Sequence, residues 1–275
     1  MTSGGHSISD RSIIATSAYA DDRHLQSRQH LYDFQTPVYD LPGITLERLS
    51  DTDPTVVLDV GCGNGRYTSR FRDQFPRASV VGIDLAPGIL RAVGSPAVVA
   101  DAAHLPFATD SADVVLAMHM LYHVEDVEAG IRELARVLGP WGTAFVSTNA
   151  IEDKRELDEL WRRAASRVLD TPNPPERISL SRRFPLNAAP TILRRHFGSV
   201  ETYELPGTIR VTSPDPVINH LASYESFARK SGVPFHRTVR AAESLLQEHL
   251  DQHGEFTISC LSGIIECRSA RTDQQ

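Results

Sequence analysis

Apolar positions recur along this chain with two different periods. Short runs read as strands buried on both faces: Val56, Val57, Leu58 and Val60, then Ser79 to Ile83, Ala97 to Ala100, Asp113 to Met118 and Thr143 to Ser147. Between them the spacing turns helical, through Tyr67, Phe71 and Phe75 and again through Val127, Ile131, Leu134 and Leu138. Strand and helix in alternation predict an α/β fold around a parallel sheet with both faces covered. Downstream, the pattern predicts a charged helix over Glu152–Leu169, a helix over Asn187–Phe197 and a strand over Ser199–Leu205 that Thr208–Val211 extends as a hairpin. Asp215 followed by Pro216 reads as a helix start. Two apolar stripes follow, Val217, Leu221, Tyr224, Ala228 and Val239, Ala242, Leu246, Leu250; Gly254 ends the second, and Phe256–Ile265 is a last, antiparallel strand. Upstream, residues to about Ser17 are polar and are expected to be a mobile arm. A helix is predicted over Asp21–Phe34, then a turn at Pro42-Gly43 and a short helix to Leu49.

The stretch Thr55–Phe71 carries the densest chemistry. Asp59 interrupts the first strand one residue before its end, and Gly61, Gly63 and Gly65 follow at every second position. Such a turn lets a ligand approach the backbone, and it lies at the carboxyl end of a strand, where open α/β sheets bind. The dinucleotide fingerprint requires a sixth-position glycine; Arg66 stands there instead. Asp84 ends the second strand, nineteen positions after Gly65. In nucleotide-type sites an acid there accepts both hydroxyls of a ribose, with Leu85 beside the base; the competing reading is a helix cap before Pro87. Leu25, Arg28 and Tyr32 share one face of the early helix. That helix is expected to close over the ligand, with Tyr19 and Tyr32 as cover and Arg28 facing a carboxylate, against the alternative of an arginine snorkelling at the surface.

Composition narrows the classes. Net charge is −7, which disfavours a broad phosphate-tracking surface. The three cysteines, Cys62, Cys260 and Cys267, form no Cys-x-x-Cys pair, and two of them fall too far apart in one strand to bridge. A reducing, cytoplasmic setting is expected. The apolar patch Ile13–Ala20 lacks a basic segment and runs into Asp21 and Asp22, so no signal peptide is expected, and no run reaches the ~18 residues of a membrane span. His119 and His123 stand four apart after the fourth strand, without a His-Glu-x-x-His order or a clear third ligand, so no metal is expected. His123 is expected to bond backbone at the strand end, while His119 sits at the edge where a reaction would occur.

The acidic-x-Gly-x-Gly-x-Gly loop, Asp84, Asp101-Ala102 and the stretch His104 to Phe107 (HLPF) followed by Asp113 together resemble the class I S-adenosylmethionine-dependent methyltransferases, type 11 branch. The resemblance is specific over Val56–Ser147; Gly139 and Trp141 depart from the family's usual turn. It implies a seven-stranded Rossmann-like sheet of order 3-2-1-4-5-7-6 and S-adenosylmethionine as cofactor. Asp59, Gly61, Gly63, Asn64 and Gly65 would hold its methionine half, Asp84 and Leu85 the ribose side, Asp101 and Ala102 the adenine, and Ala117 and Met118 the strand edge beside it. The expected division is residues 1–50 as arm and cover helices, 51–150 as the cofactor core, and 151–275 as the rest of the sheet with a helical lid near 213–253. His119, Tyr122 and His123 are the catalytic candidates, and His119, Tyr122 and Tyr224 the acceptor contacts. The implied function is methyl transfer to an oxygen or nitrogen of a small molecule in natural-product biosynthesis, with a homodimer left open. Ribosomal RNA base methylation and a non-catalytic regulatory binder are the alternatives; the acidic charge and a missing cysteine module disfavour the first.

Overall fold

The computed structural model describes residues 8–269. Its strands are β1 (Gln35–Thr36), β2 (Val56–Val60), β3 (Ser79–Asp84), β4 (Ala97–Val99), β5 (Ala112–Met118), β6 (Leu138–Asn149), β7 (Ser199–Val211) and β8 (Phe256–Arg268). They form one sheet of order β1-β7-β8-β6-β5-β2-β3-β4. Without the two-residue β1, which pairs antiparallel with β7, the seven core strands stand in the expected order 3-2-1-4-5-7-6. Strands β2 to β6 run parallel, and β8 is antiparallel to both β6 and β7.

Alternate residues of β2 enter different cores, as the two-residue period requires. Leu58 and Val60 pack with Ile131 and Leu134 of helix α4 (Val127–Val137), while Val57 packs with Phe71 of helix α3 (Arg66–Gln74) and with Val80, Leu116 and Phe145. Asp113 is a structural acid: its Oδ2 accepts the amides of Thr55 and Val56, at 2.7 and 3.0 Å, so it ties β5 to the entry of β2.

Around this core lie α1 (Arg23–His30), α2 (Leu41–Glu47), α5 (Arg155–Leu169), α6 (Ala189–Leu193), α7 (Asp215–Ala222) and α8 (Phe235–His253). Several expectations are corrected. The chain from Ile8 is not a loose arm: Ile8, Ile14 and Ala18 are buried, a short helix over Arg11–Ile13 runs on as a π-turn over Ile14–Ala18, and residues 1–7 lie outside the described part. Gly88 receives the Ala20 carbonyl where a side chain would stand, so this segment docks on the sheet edge. Pro42-Gly43 lies inside the first turn of α2, where proline's missing donor is harmless. Strand β7 is unbroken, pairing with β8 from Ser199↔Arg268 to Val211↔Phe256, so Pro206-Gly207 makes no hairpin. Strand β6 starts at Leu138 and runs through the Gly139–Gly142 stretch, with a register shift opposite Ala112 and Val114. Only Ala189–Leu193 is helical in the stretch expected as Asn187–Phe197, and Pro214 rather than Asp215 occupies the cap of α7.

The long β7–β8 ribbon supports a second core. Val217, Leu221, Val239, Leu246 and Leu250 pack there with Ile209, Ile258 and Trp161. The helices expected as a lid thus bury their apolar stripes against sheet and α5. No helix among the described residues is long and apolar enough to cross a membrane. Leu246 is 0 % exposed, so Leu246→Ala should lower unfolding free energy by about 2–5 kcal/mol in urea titrations. Calorimetry should find its affinity for S-adenosylhomocysteine unchanged; a weakened affinity would mean that this core transmits to the cofactor site.

Candidate active site

A cavity of about 790 Å³ opens along the carboxyl edge of β2, β3 and β5, a size ordinary for cofactor-sized ligands. One half is built by the glycine turn. Gly61, Gly63 and Gly65 take φ of +68°, +55° and +79°, a region that suits glycine. A Cβ on Gly61 would stand 2.6 Å from Met120, and one on Gly63 would stand 2.9 Å from Leu25 of α1. Gly61, Gly63 and Asn64 line the cavity, and Asn64 Nδ2 donates to Gln29 Oε1 of α1 at 3.1 Å. Gly65 does not line it: it caps α3 instead. Asp59 lines the cavity at 1 % exposure and accepts the Thr68 hydroxyl at 2.5 Å. Burial pushes its carboxyl up to about 6, against the pull of the Thr68 bonds.

Asp84 faces the same space. Its Oδ2 accepts the Gly63 amide at 3.0 Å and its Oδ1 the Ala86 amide at 2.9 Å. Burial raises its carboxyl, while the Ala86, Gly63 and Leu85 backbone bonds hold it down. Asp84 thus caps a turn, whereas Gly88 stands at the cap of the helical turn that follows, and Asp84 lines the cavity with Leu85. Asp101 and Ala102 line it as well; Asp101 accepts the Ala103 amide at 2.9 Å and pairs with Arg11 at 2.6 Å. Met118 lines the cavity, whereas Ala117, 0 % exposed, points into the core, because neighbours in a strand face opposite ways.

The other half gathers the remaining candidates. Arg28, 7 % exposed, lies between the rings of Tyr19 and Tyr224, 5.2 and 5.6 Å from their centroids. Its Nη1 donates to the Ser223 carbonyl at 3.0 Å, its Nη2 has no partner, and it forms no ion pair among the described residues. It is not a surface arginine. His119 follows β5 in a left-handed conformation, φ +53°, costly for a side-chain-bearing residue, with its amide held by the Ser147 carbonyl at 3.0 Å. Its ring lines the cavity, and burial, helped by the Lys154 charge, lowers its pKa to about 4. His123 departs from its catalytic reading. Nδ1 must donate to the Ile8 carbonyl at 3.0 Å, so Nε2 accepts the Tyr19 hydroxyl at 2.7 Å, and neither nitrogen is left for a substrate. Tyr122 lines the cavity with its hydroxyl held firmly protonated by burial, which makes it a donor and not a base.

Three lining residues were not singled out by the sequence: Lys154, Arg177 and His220. Lys154 Nζ bonds Asp153 and the Tyr32 hydroxyl, both at 2.5 Å; Arg177 Nε bonds Asp158 at 2.7 Å. The one available signal was that Lys154 is one of two lysines among 28 basic residues. Of the stripe residues expected to contact an acceptor, Tyr224 alone lines the cavity.

The chain is similar to known proteins over its central part. Residues 58–146 match the family model of a methyltransferase domain. The malonyl-[acyl-carrier protein] O-methyltransferase of Hahella chejuensis is 30% identical over 57% of this chain and 63% of its own length. The protein of the same name from Dechloromonas aromatica is 38% identical over 37% of this chain and 39% of its own length. The match thus spans less than two thirds of these curated relatives. Among solved structures, the phosphoethanolamine N-methyltransferase 2 of Haemonchus contortus in complex with S-adenosyl-L-methionine superposes with a TM-score of 0.50 at 16% identity, over 84% of this chain and 53% of that one, a likeness of fold. The sheet order, the glycine turn with its acids and the matched segment define the class I S-adenosylmethionine-dependent methyltransferases. The chain carries a domain of that class, with S-adenosylmethionine as its cofactor.

The residues present fit that cofactor: a glycine turn whose Gly61 and Gly63 line the cavity and have no room for a side chain, and an acid at the end of β3 that lines it too. Asp84→Ala should weaken S-adenosylhomocysteine binding about ten- to a hundredfold by calorimetry, the loss of a charged acceptor at about 1.5–3 kcal/mol. Asp84→Asn, which preserves the shape, separates charge from loop geometry; equal affinity in wild type and both variants would remove Asp84 from the site.

Proposed function

We propose that the protein transfers a methyl group from S-adenosylmethionine to an oxygen or nitrogen of a small acceptor seated in the second half of the cavity. The observation that carries this is the meeting of the two halves at the end of β5, where Met118, His119 and Tyr122 border both the glycine-turn side and the side lined by Tyr224 and Lys154. The bound cofactor supplies an electrophilic methyl on a sulfonium. The chain's own residues bind, orient and exclude water. Asp84 and Asp101 fix the nucleoside side, the glycine turn the methionine side, and Tyr19 faces the reaction edge with an electron-rich ring.

His119 is neutral at pH 7 and its ring makes no hydrogen bond among the described residues, so it accepts a proton or a hydrogen bond from the acceptor. Its lowered basicity makes it a better orienting partner than a general base, which works best with a pKa near the operating pH. The natural-product setting rests on the resemblance in the type 11 core. The relatives' names favour a second reading, oxygen methylation of an acyl group carried on a protein. Nothing in the comparisons supports RNA methylation or a non-catalytic binder.

His119→Ala and His119→Asn test the role, assayed with labelled cofactor over pH 5–9 on an acceptor found by screening metabolite extracts. Orientation predicts a kcat loss of about tenfold in the alanine variant, partial recovery in asparagine, and no acidic limb above about pH 5, since His119 protonates only as pH falls toward about 4. A loss of a hundredfold or more, together with a wild-type limb near pH 6.5 that the variants lack, would make it the general base.

A further inference from the structure

We propose that the acceptor carries a carboxylate that is not the methylated group, and that Arg177 and His220, with Lys154 and Arg28 around them, anchor it inside the cavity. The proposal rests on the methyl-transfer reading above and names the class of its acceptor. His220 projects from α7, is 2 % exposed and lines the cavity, yet neither of its ring nitrogens has a hydrogen-bond partner. Buried polar atoms are nearly always paired, and an imidazole with both nitrogens unpaired in a ligand-sized space points to a ligand. Arg28 Nη2 is a second such atom in the same space.

The charges around His220 give the ligand its sign. Burial first, then the Lys154, Arg177 and Arg28 charges, hold its imidazole neutral, while the Arg28 backbone pulls the other way without reaching hydrogen-bond geometry. A neutral imidazole keeps one N–H to donate. Lys154 is matched by Asp153 and Arg177 by Asp158, but Arg28 pairs with no acid among the described residues. Beside His220, then, Arg28 is a buried cation without an acid, while Asp59 and Asp84, acids of the same cavity in no ion pair among the described residues, stand at the glycine turn. The cofactor, with an ammonium, a sulfonium and one carboxylate, is a net cation and does not discharge Arg28. A monoanion does, and a planar carboxylate suits guanidinium geometry. A carboxylate whose oxygens take charge-assisted hydrogen bonds has its lone pairs engaged and is a poor nucleophile, so the methyl-accepting atom lies elsewhere on the molecule, toward His119.

The test uses the full chain loaded with S-adenosylhomocysteine. Butyrate and benzoate, then butyramide and benzamide, are titrated while the His220 ring C–H signals are followed by NMR, assigned by their loss in His220→Gln. Carboxylates should shift these signals saturably, the amides at least tenfold more weakly, and Arg177→Gln should weaken carboxylate binding about tenfold with its melting temperature checked in parallel. The proposal is overturned if neither carboxylate moves His220, if the amides bind equally, or if inorganic phosphate binds more tightly than both. Methyl ester formation from a bound carboxylate with S-adenosylmethionine, read by mass spectrometry, would overturn the anchoring role. Calorimetry with S-adenosylhomocysteine, and the same titrations without it, keep the two readings apart: failure to bind it removes the methyl-transfer reading, while a failed carboxylate titration with that binding intact removes this inference alone.

Discussion

The hydrogen bond from the Gly63 amide to the Asp84 carboxylate joins the turn after β2 to the end of β3, and the site hangs on it. The turn needs residues with positive φ at Gly61, Gly63 and Gly65, and that path has few local hydrogen bonds of its own. Asp84 supplies one from the neighbouring strand, and the Ile83 carbonyl supplies another by accepting the Cys62 amide at 2.9 Å. With the loop so held, α1 can lie across Gly63 through Leu25, and the cavity gains its roof. Low dielectric then acts on every charge inside, raising the acids Asp59 and Asp84 and lowering the histidines His119, His123 and His220.

The half of the cavity away from the glycine turn follows a different rule. Its cations are buried, which is costly unless they are paired and hydrogen-bonded. Asp153 and Asp158 meet that need for Lys154 and Arg177, and the rings of Tyr19 and Tyr224 partly meet it for Arg28. The Asp153–Lys154 pair is itself held from the long ribbon, where the Leu261 amide donates to Asp153 and the Lys154 amide to the Ser259 carbonyl. Strand β8 thus does more than close the sheet. It fixes the backbone that places the Lys154 cation in the cavity lining, and the second core on β7 and β8 packs against that ribbon.

Arg183 shows how loops near the edge are set. Its guanidinium donates to the carbonyls of Tyr122, Val124 and Glu125, between 2.7 and 2.9 Å. The segment after β5 is therefore tied down from a part of the chain that sequence patterning leaves featureless. His123, fixed between Ile8 and Tyr19, performs the same service for the N-terminal cover.

What the sequence by itself determined was everything that depends on neighbours along the chain. Periodicity marked the central strands and helices, because a buried strand or an amphipathic helix must repeat its apolar positions locally. The glycine spacing and the acids at strand ends marked the cofactor half, because those positions are consecutive at one sheet edge. Only the tertiary structure decided the rest. Whether Pro206-Gly207 turns or runs straight depended on thirteen residues of β8 pairing across it. The stripes at Val217 and Val239 were apolar in either role, and packing on β7 and β8 made them core. Lys154, Arg177 and His220 lie far apart in the sequence and show no spacing rule. They came to line one cavity because α7, the segment after Glu176 and the N-terminal cap of α5 converge on it, and folding alone brings such charges together.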